Sequence, residues 1–410
     1  MLKLNKKICL CIAVMFLASV GTMTAAALND AEQLGKNLFF DTNLSTPPGQ
    51  ACAACHGPEV GYTGSDPKIN AHGAVYEGAV NGRFGNRKPP SAAYAGDSPL
   101  LHYDSGQGTW IGGMFWDGRA TGWTLGDPLA EQAMGPFLNP LEQNNLDAAV
   151  VITKVVTGPY NDLYNDVCGS ATNKYECIAR AIAAYESSSE VSAFTSKYDA
   201  VQEGKATFTT KEANGLALFE GKGNCANCHV PPLFTDFTYD NLGVPRNLEN
   251  PFYNELKYNP MGSAWIDEGL GGFLKSIGYS PNATELGKMK VPTLRNVDKR
   301  PNNGFKKAYA HNGYFKSLEE IVHFYNTRDV PGADWNGKPW PSAEVPENVN
   351  TAESGNLGLT KQEEENIAAF LGTLSDGYTE DKNPPPPVPE APTIALVGLG
   401  VFGLMFVLRR

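Results

Sequence analysis

Cys52-Ala53-Ala54-Cys55-His56 is answered in the second half of the chain by Cys225-Ala226-Asn227-Cys228-His229. With 8 Cys and 6 His in 410 residues, chance supplies one such pentapeptide roughly 0.002 times if positions are independent. The spacing predicts covalent attachment of c-type haem. Cys52 and Cys55, and likewise Cys225 and Cys228, add to the haem vinyl groups, and His56 or His229 becomes the proximal iron ligand. The rival readings fit less well. Zinc needs four ligands, and a thioredoxin-like dithiol leaves a His beside each Cys pair unexplained. Two covalently bound c-type haems are the expected cofactors.

The length accommodates two or three domains. Charged residues make up 19 % and hydrophobic residues 42 %, with 43 Gly and 29 Pro. Such a chain is globular and loop-rich. A net charge of −11 argues against nucleic acid as a partner. It suits solubility, or a neutral or basic protein partner.

Both ends read as targeting segments. Lys3, Lys6 and Lys7 precede the apolar run from Ile8 to Val20, and Ala25-Ala26-Ala27 offers a small-residue cleavage site. Residues 1–27 therefore read as a secretory signal peptide, with Leu28 as the mature start and export to the periplasm or cell surface. Cys9 and Cys11 fall inside it. Outside the haem motifs, Cys168 and Cys177 are left in an oxidising compartment, and a local disulfide is expected, with two free buried thiols as the alternative. Past Tyr378, Pro384 to Pro387, Pro389 and Pro392 form a stiff spacer. Ala391 to Leu408 then carries no charge before Arg409-Arg410, a run at the short limit for crossing a bilayer. Residues 379–410 read as a spacer followed by a membrane or sorting segment.

Between the ends the chain repeats one plan. A helix from Asp30 to Phe39 places Leu34, Leu38 and Phe39 on one face. The first haem motif follows, then a mostly irregular stretch from Gly57 to Gly113, and a helix from Tyr175 to Tyr185 with Ile178, Ile182 and Tyr185 on one stripe. Irregular chain of that length signals function or cofactor wrapping. In the second half Thr210 is expected to cap a helix carrying Leu216, Leu218 and Phe219, just before the second motif. Thr360-Lys361-Gln362-Glu363 is a capping box that opens a helix with Ile367, Phe370, Leu371 and Leu374 inward. The fold class is mainly α: two cytochrome c-like helical domains with long loops, each holding one c-type haem. The domains span residues 28–200 and 201–378, with the boundary in Ser196 to Thr209.

Between the two haem motifs lie Phe115-Trp116-Asp117-Gly118-Arg119-Ala120, Glu131-Gln132-Ala133 and Asn139-Pro140-Leu141-Glu142. With these in view the chain, from about Ala31 to Leu374, resembles the bacterial di-haem cytochrome c peroxidase and MauG family. The segments occur in the family's order, with six extra residues around Gly122 to Pro128. The resemblance implies that the N-terminal haem reacts with hydrogen peroxide and the C-terminal haem transfers electrons. Glu142 is then the acid–base that moves a proton between the peroxide oxygens, rather than an exposed loop carboxylate. Gln132 hydrogen-bonds water or bound oxygen, rather than lying on a helix surface. Trp116 relays electrons between the haems, a role compatible with burial in the core. The C-terminal tail resembles the bacterial Pro-Glu-Pro type sorting signal, which implies membrane retention followed by cleavage; a plain membrane anchor is the alternative.

Val291-Pro292-Thr293-Leu294-Arg295-Asn296-Val297 also matches a family segment. The later helix carrying Leu318, Ile321 and Val322 ends in Tyr325, where ordinary peroxidases have a Met ligand and MauG has Tyr. Leu318, Ile321, Val322 and Tyr325 share one helical face, while His323 points away. Tyr325 is the expected sixth ligand of the second iron, with a core aromatic as its alternative. A phenolate favours oxidised iron where a thioether favours reduced iron. That directs the expectation towards oxidation of a partner protein as well as reduction of peroxide by a small redox protein. A pure electron-transfer cytochrome is the non-enzymatic alternative. His72 stands where bis-His relatives carry a distal ligand to the first iron, so it is either that ligand or a loop His at the haem rim. His102 reads as a surface residue. The family's calcium site would fall at Arg87-Lys88 and Lys306-Lys307-Ala308. Lysines offer no oxygen donors, so calcium is doubtful, and Lys88 or Lys306 is expected to supply the positive charge.

Overall fold

Gly35 and Gly215 set the architecture. Helix α1 (Asp30–Phe40) crosses α6 (Lys174–Glu186) at Gly35, and α8 (Thr210–Glu220) crosses α11 (Lys361–Gly372) at Gly215. A Cβ at Gly35 would come within 1.8 Å of the Ala181 carbonyl oxygen, and one at Gly215 within 2.0 Å of that of Asn366. Only glycine lets the paired backbones approach so closely. The same crossing thus occurs once in each half of this computed structural model, which describes residues 27–280 and 283–380. The expected signal peptide and C-terminal segment lie essentially outside those residues.

The helices form where polar caps meet apolar stripes. Asn29 and Glu32 make a capping box on α1, and Leu34, Leu38 and Phe39 are fully buried. Thr360 and Glu363 do the same for α11, which buries Ile367, Phe370 and Leu371. The cap of α8 is Thr209 rather than Thr210. Its hydroxyl accepts from the Glu212 amide, and the Glu212 carboxylate accepts from the Thr209 amide. A glutamate three residues on completes the box only for Thr209.

Around α1 and α6 pack α3 (Pro128–Leu138), α4 (Ala148–Val156) and α5 (Asn161–Cys168). Their core contains Phe137, Val151, Tyr164, Ile178, Ile182 and Tyr185. Cys168 and Cys177 form the expected disulfide between α5 and α6; closing so short a loop stabilises by ~2–3 kcal/mol. A second core surrounds Phe219, Phe234, Phe315, Phe324 and Phe370, and joins α8 and α11 to α10 (Leu318–Thr327). Two-stranded antiparallel ribbons, β1 (His102–Asp104) with β2 (Thr109–Ile111) and β3 (Tyr239–Asp240) with β4 (Met289–Lys290), lie among the long loops. Short helices α2 (Pro67–Ala71), α7 (Lys197–Gln202) and α9 (Gly269–Ser276) complete the helical set used below.

The extra residues before α3 are gathered by one carboxylate. Glu131 accepts hydrogen bonds from the backbone amides of Gly122 at 2.6 Å, Thr124 at 2.6 Å and Leu125 at 2.8 Å. The insertion is therefore closed on α3 itself and leaves Gln132, Ala133 and Pro136 of that helix to line a cavity.

Candidate functional site

Each Cys-x-x-Cys-His stretch forms one 3₁₀ turn, which brings its two thiols and its imidazole to the rim of a cavity. His56 Nδ1 faces the Tyr62 carbonyl oxygen at 3.1 Å, and His229 Nδ1 faces the Phe234 carbonyl oxygen at 3.0 Å. Each carbonyl can only accept, so the proton sits on Nδ1 and the Nε2 lone pair is left to bind a metal. Burial pushes both imidazoles towards the neutral form, which is the ligating form.

The four cysteines are unpaired. Burial pushes the thiols of Cys55, Cys225 and Cys228 up to about 12 and that of Cys52 higher still. A reactive dithiol or a zinc site needs accessible thiolates, so this environment suits thiols consumed in covalent bonds. Orphaned polar atoms around the first cavity also fit a bound prosthetic group. Gln50 Oε1, Gln143 Oε1 and Glu186 Oε2 are buried with no hydrogen-bond partner among the described residues, a costly condition for a protein that encloses only its own atoms. The residues present fit a haem in each cavity.

The first cavity brings together Cys52, Cys55, His56, Trp116, Gln132 and Glu142. Gln132 comes from α3, and Glu142 from the turn that follows it, where Leu141 N donates to Asn139 Oδ1 at 3.0 Å. Burial raises the Glu142 carboxyl above its ordinary range, while Arg119 and Asn139 pull it partly back. Arg119 is fixed by Asp117 at 3.0 Å and lies over the Phe115 ring at 3.7 Å.

Cys225, Cys228, His229 and Tyr325 line the second cavity. Tyr325 sits on α10 with Ile321, and both face this space, while Leu318 and Val322 are buried. The Tyr325 hydroxyl has no hydrogen-bond partner among the described residues, and burial raises its pKa. His323 turns away and meets Glu364 at 2.8 Å. Trp116 borders both cavities. Its ring N–H donates to the Lys88 carbonyl at 2.9 Å, and its own carbonyl accepts from Lys290 N at 2.8 Å.

His72 does not join the first cavity. It ends α2 with its side chain 73 % exposed, and its Nδ1 lies 3.3 Å from a Glu249 carboxylate oxygen. The short helix capped by Asp66 carries it to the surface, a consequence that counting residues from His56 cannot reveal. His102 is exposed, as expected.

At the expected calcium position lie the buried side chains of Lys88 and Lys307. Lys307 Nζ donates to the carbonyls of Val60 at 2.8 Å, Asn296 at 2.8 Å and Lys299 at 3.1 Å. Lys88 Nζ reaches Thr63 Oγ1 at 2.8 Å and the Pro89 carbonyl at 3.0 Å. Lys306 is exposed and contributes its carbonyl to Asn70, so of the two expected lysines only Lys88 is buried here, with Lys307 in place of Lys306. Burial lowers the Lys88 ammonium to about 7, and burial together with Lys88 lowers Lys307 well below its ordinary range. Beside them Arg87 binds Asp267 through two contacts of 2.6 Å and Asp117 at 2.6 Å. Burial opposes the Asp267 charge, but Arg87 holds that carboxyl down at about 2. Sequence reading missed Lys307, the Arg87–Asp117–Asp267 cluster and Glu186, because each acquires its role from partners far away in the chain.

A family profile described as di-haem cytochrome c peroxidase matches residues 29–207. The methylamine utilization protein MauG of Paracoccus denitrificans (strain Pd 1222) is 34 % identical over 391 residues, covering 90 % of this chain and 95 % of that protein. The cytochrome c551 peroxidase of Nitrosomonas europaea is 28 % identical over 298 residues, covering 72 % of each. The crystal structure of the diheme peroxidase BthA from Burkholderia thailandensis E264 superposes with a TM-score of 0.72 and 31 % identity, over 86 % of this chain and 87 % of that one.

Proposed function

The chain belongs to the di-haem cytochrome c peroxidase and MauG family, and from that premise we propose that it is an exported enzyme that uses hydrogen peroxide as oxidant, with two covalently bound c-type haems. The observation that carries the reading is the pairing of unlike cavities across one indole: Glu142 and Gln132 face the first, Tyr325 faces the second, and Trp116 borders both. We assign residues 28–200 to the peroxidatic half and 201–378 to the electron-transfer half.

Cys52, Cys55 and His56 would hold the first haem, and Cys225, Cys228, His229 and Tyr325 would hold the second. Bound there, haem supplies the redox-active iron at which peroxide is split. Glu142 takes the proton from one peroxide oxygen and delivers it to the other as the O–O bond breaks. Gln132 orients the oxygens through its amide. Trp116 carries electrons between the halves. The balance is H₂O₂ + 2 e⁻ + 2 H⁺ → 2 H₂O, with the electrons drawn from a small redox protein or from an oxidisable partner protein.

Tyr325 favours the second source. A phenolate stabilises oxidised iron and makes the second centre a poor acceptor from a mild donor. MauG-like oxidation of a partner protein is therefore the specific alternative to peroxide reduction by a cytochrome or cupredoxin. The acid and amide of the first cavity speak against a purely electron-transferring cytochrome. The test is Tyr325→Met on the haem-loaded protein. The midpoint potential of one haem is expected to rise, and a reduced c-type cytochrome should then be oxidised faster by peroxide. An unchanged potential in both haems would remove Tyr325 from the iron.

Calcium has no place in this reading. Lys307 already satisfies three carbonyls that would otherwise serve a cation, and Lys88 adds a second ammonium beside it. Elemental analysis of the purified protein is expected to find no stoichiometric calcium; one tightly held ion per chain would overturn this point.

A further inference from the structure

The α6 sequence Ile182-Ala183-Ala184-Tyr185-Glu186 matches the α11 sequence Ile367-Ala368-Ala369-Phe370-Leu371 at its first three positions and has an aromatic residue at the fourth in both. They occupy equivalent places. Each helix crosses a partner at a glycine, which meets the Ala181 carbonyl and Tyr185 Cβ in one half and the Asn366 carbonyl and Phe370 Cβ in the other. Their chemistry parts at the fifth position. The second half has Leu371, buried in the apolar core. The first half has Glu186, 4 % exposed, on the wall of the cavity that holds Glu142 and Gln132.

A buried carboxyl where the fold accepts leucine costs stability unless it does something. Among the described residues Glu186 has no ion-pair partner. Its Oε2 is sealed from solvent without a hydrogen-bond partner among the described residues. The charged groups around it offer no counter-charge. Asp127 lies at the start of α3, and Glu142 follows that helix; both are acids. Arg180 on α6 itself is held by Glu176 at 2.8 Å and lies 3.9 Å from Asp127. Lys36 on α1 is held by Glu190 at 2.5 Å. Arg119 lines the same cavity but is paired with Asp117. Burial, with Asp127 adding to it, pushes the Glu186 carboxyl up to about 8. At neutral pH it keeps its proton.

We infer that Glu186 is a second acid of the peroxidatic cavity, which stores and supplies a proton for completing the reduction of peroxide. This inference rests on the function proposed above. In the balanced reaction the first water takes both hydrogens of the peroxide, because Glu142 returns the proton it borrows. The second water needs two further protons together with the two electrons from the donor. Glu186 supplies one of them and is recharged through water entering the cavity. Glu142 serves bond cleavage, and Glu186 serves the stage that follows it.

The two stages separate experimentally in the haem-loaded protein. Glu186→Gln keeps shape and polarity, and Glu186→Leu installs the residue of the sister helix; unchanged haem content checks their folding. The wild type is expected to show an infrared C=O band from a protonated carboxylic acid at neutral pH, titrating with a midpoint near 8 and missing in Glu186→Gln. Stopped-flow spectra should show the initial reaction with peroxide at the wild-type rate in both variants. Turnover with an electron donor should fall ~10–100-fold. Absence of that band from the wild type, or unchanged turnover in both variants, would overturn the inference while leaving the role of Glu142 intact. Failure of the wild type to react with peroxide would instead overturn the proposed function itself.

Discussion

Glutamine in place of Glu142 is expected to slow the initial reaction with hydrogen peroxide by ~10²–10⁴-fold while both haems stay attached. The substitution keeps the size and shape of the side chain and removes only its capacity to accept and return a proton. Everything that fixes the turn, including the Asn139 side chain and the backbone around it, is left in place. The pH dependence carries a sign. Burial raises the carboxyl above its ordinary range, and Arg119 and Asn139 limit the rise. The base must be ionised to take the first proton, so the rate should climb as pH rises through that raised pKa and then level off. In Glu142→Gln the climb should vanish and the rate stay low throughout. Arg119→Met should move the climb to higher pH, since removing the cation lets burial act with less opposition. A stopped-flow series over pH measures both effects, and a wild-type rate in Glu142→Gln would end the assignment of this residue as the acid–base.

That experiment tests a residue legible in the sequence. The haem motifs, the helical stripes and the capping boxes depend on spacing within one segment, and spacing survives translation into structure. Leu34, Leu38 and Phe39 lie on one buried face because three and four residues make one helical turn. Tyr325 reaches the second cavity by the same arithmetic. What the sequence leaves open has a common cause as well. Of the two readings open for His72, the loop residue is the one found, because the turn of α2 decides where its ring points. The sequence does not distinguish Lys306 from its neighbour Lys307, and only the latter faces the carbonyls of Val60, Asn296 and Lys299. A register of one residue reverses the direction of a side chain in extended backbone. Glu186 lies one residue beyond the predicted helix stripe, and only the position of α3 and the first haem turn shows that it faces inward. Arg87 and Asp267 are 180 positions apart, and nothing local marks them as partners.

Arg295 belongs to that long-range class and carries the largest expected effect on stability. Its side chain has no solvent exposure. Nη1 donates to Asp199 Oδ2 at 2.7 Å and Oδ1 at 2.9 Å, and Nε donates to the Pro232 carbonyl at 2.7 Å. Nη2 has no hydrogen-bond partner among the described residues; instead the guanidinium lies among four aromatic rings, those of Phe194 at 4.8 Å, Phe234 at 5.4 Å, Tyr94 at 5.5 Å and Tyr198 at 5.6 Å. These residues come from the first half, from α7 and from the second half, so one cation joins all three. Arg295→Met should therefore cost about 3–5 kcal/mol, because it leaves Asp199 largely buried without its counter-ion and strands the Pro232 carbonyl. Arg295→Lys keeps the charge but not the planar fork, and should lose most of the same stability. Combining Arg295→Met with Asp199→Leu should cost less than Arg295→Met alone, since removing both charges avoids the unpaired one. Denaturant unfolding of the haem-loaded variants measures the three values. If the double variant were as unstable as the sum of its parts, the aromatic cage rather than the ion pair would hold the junction.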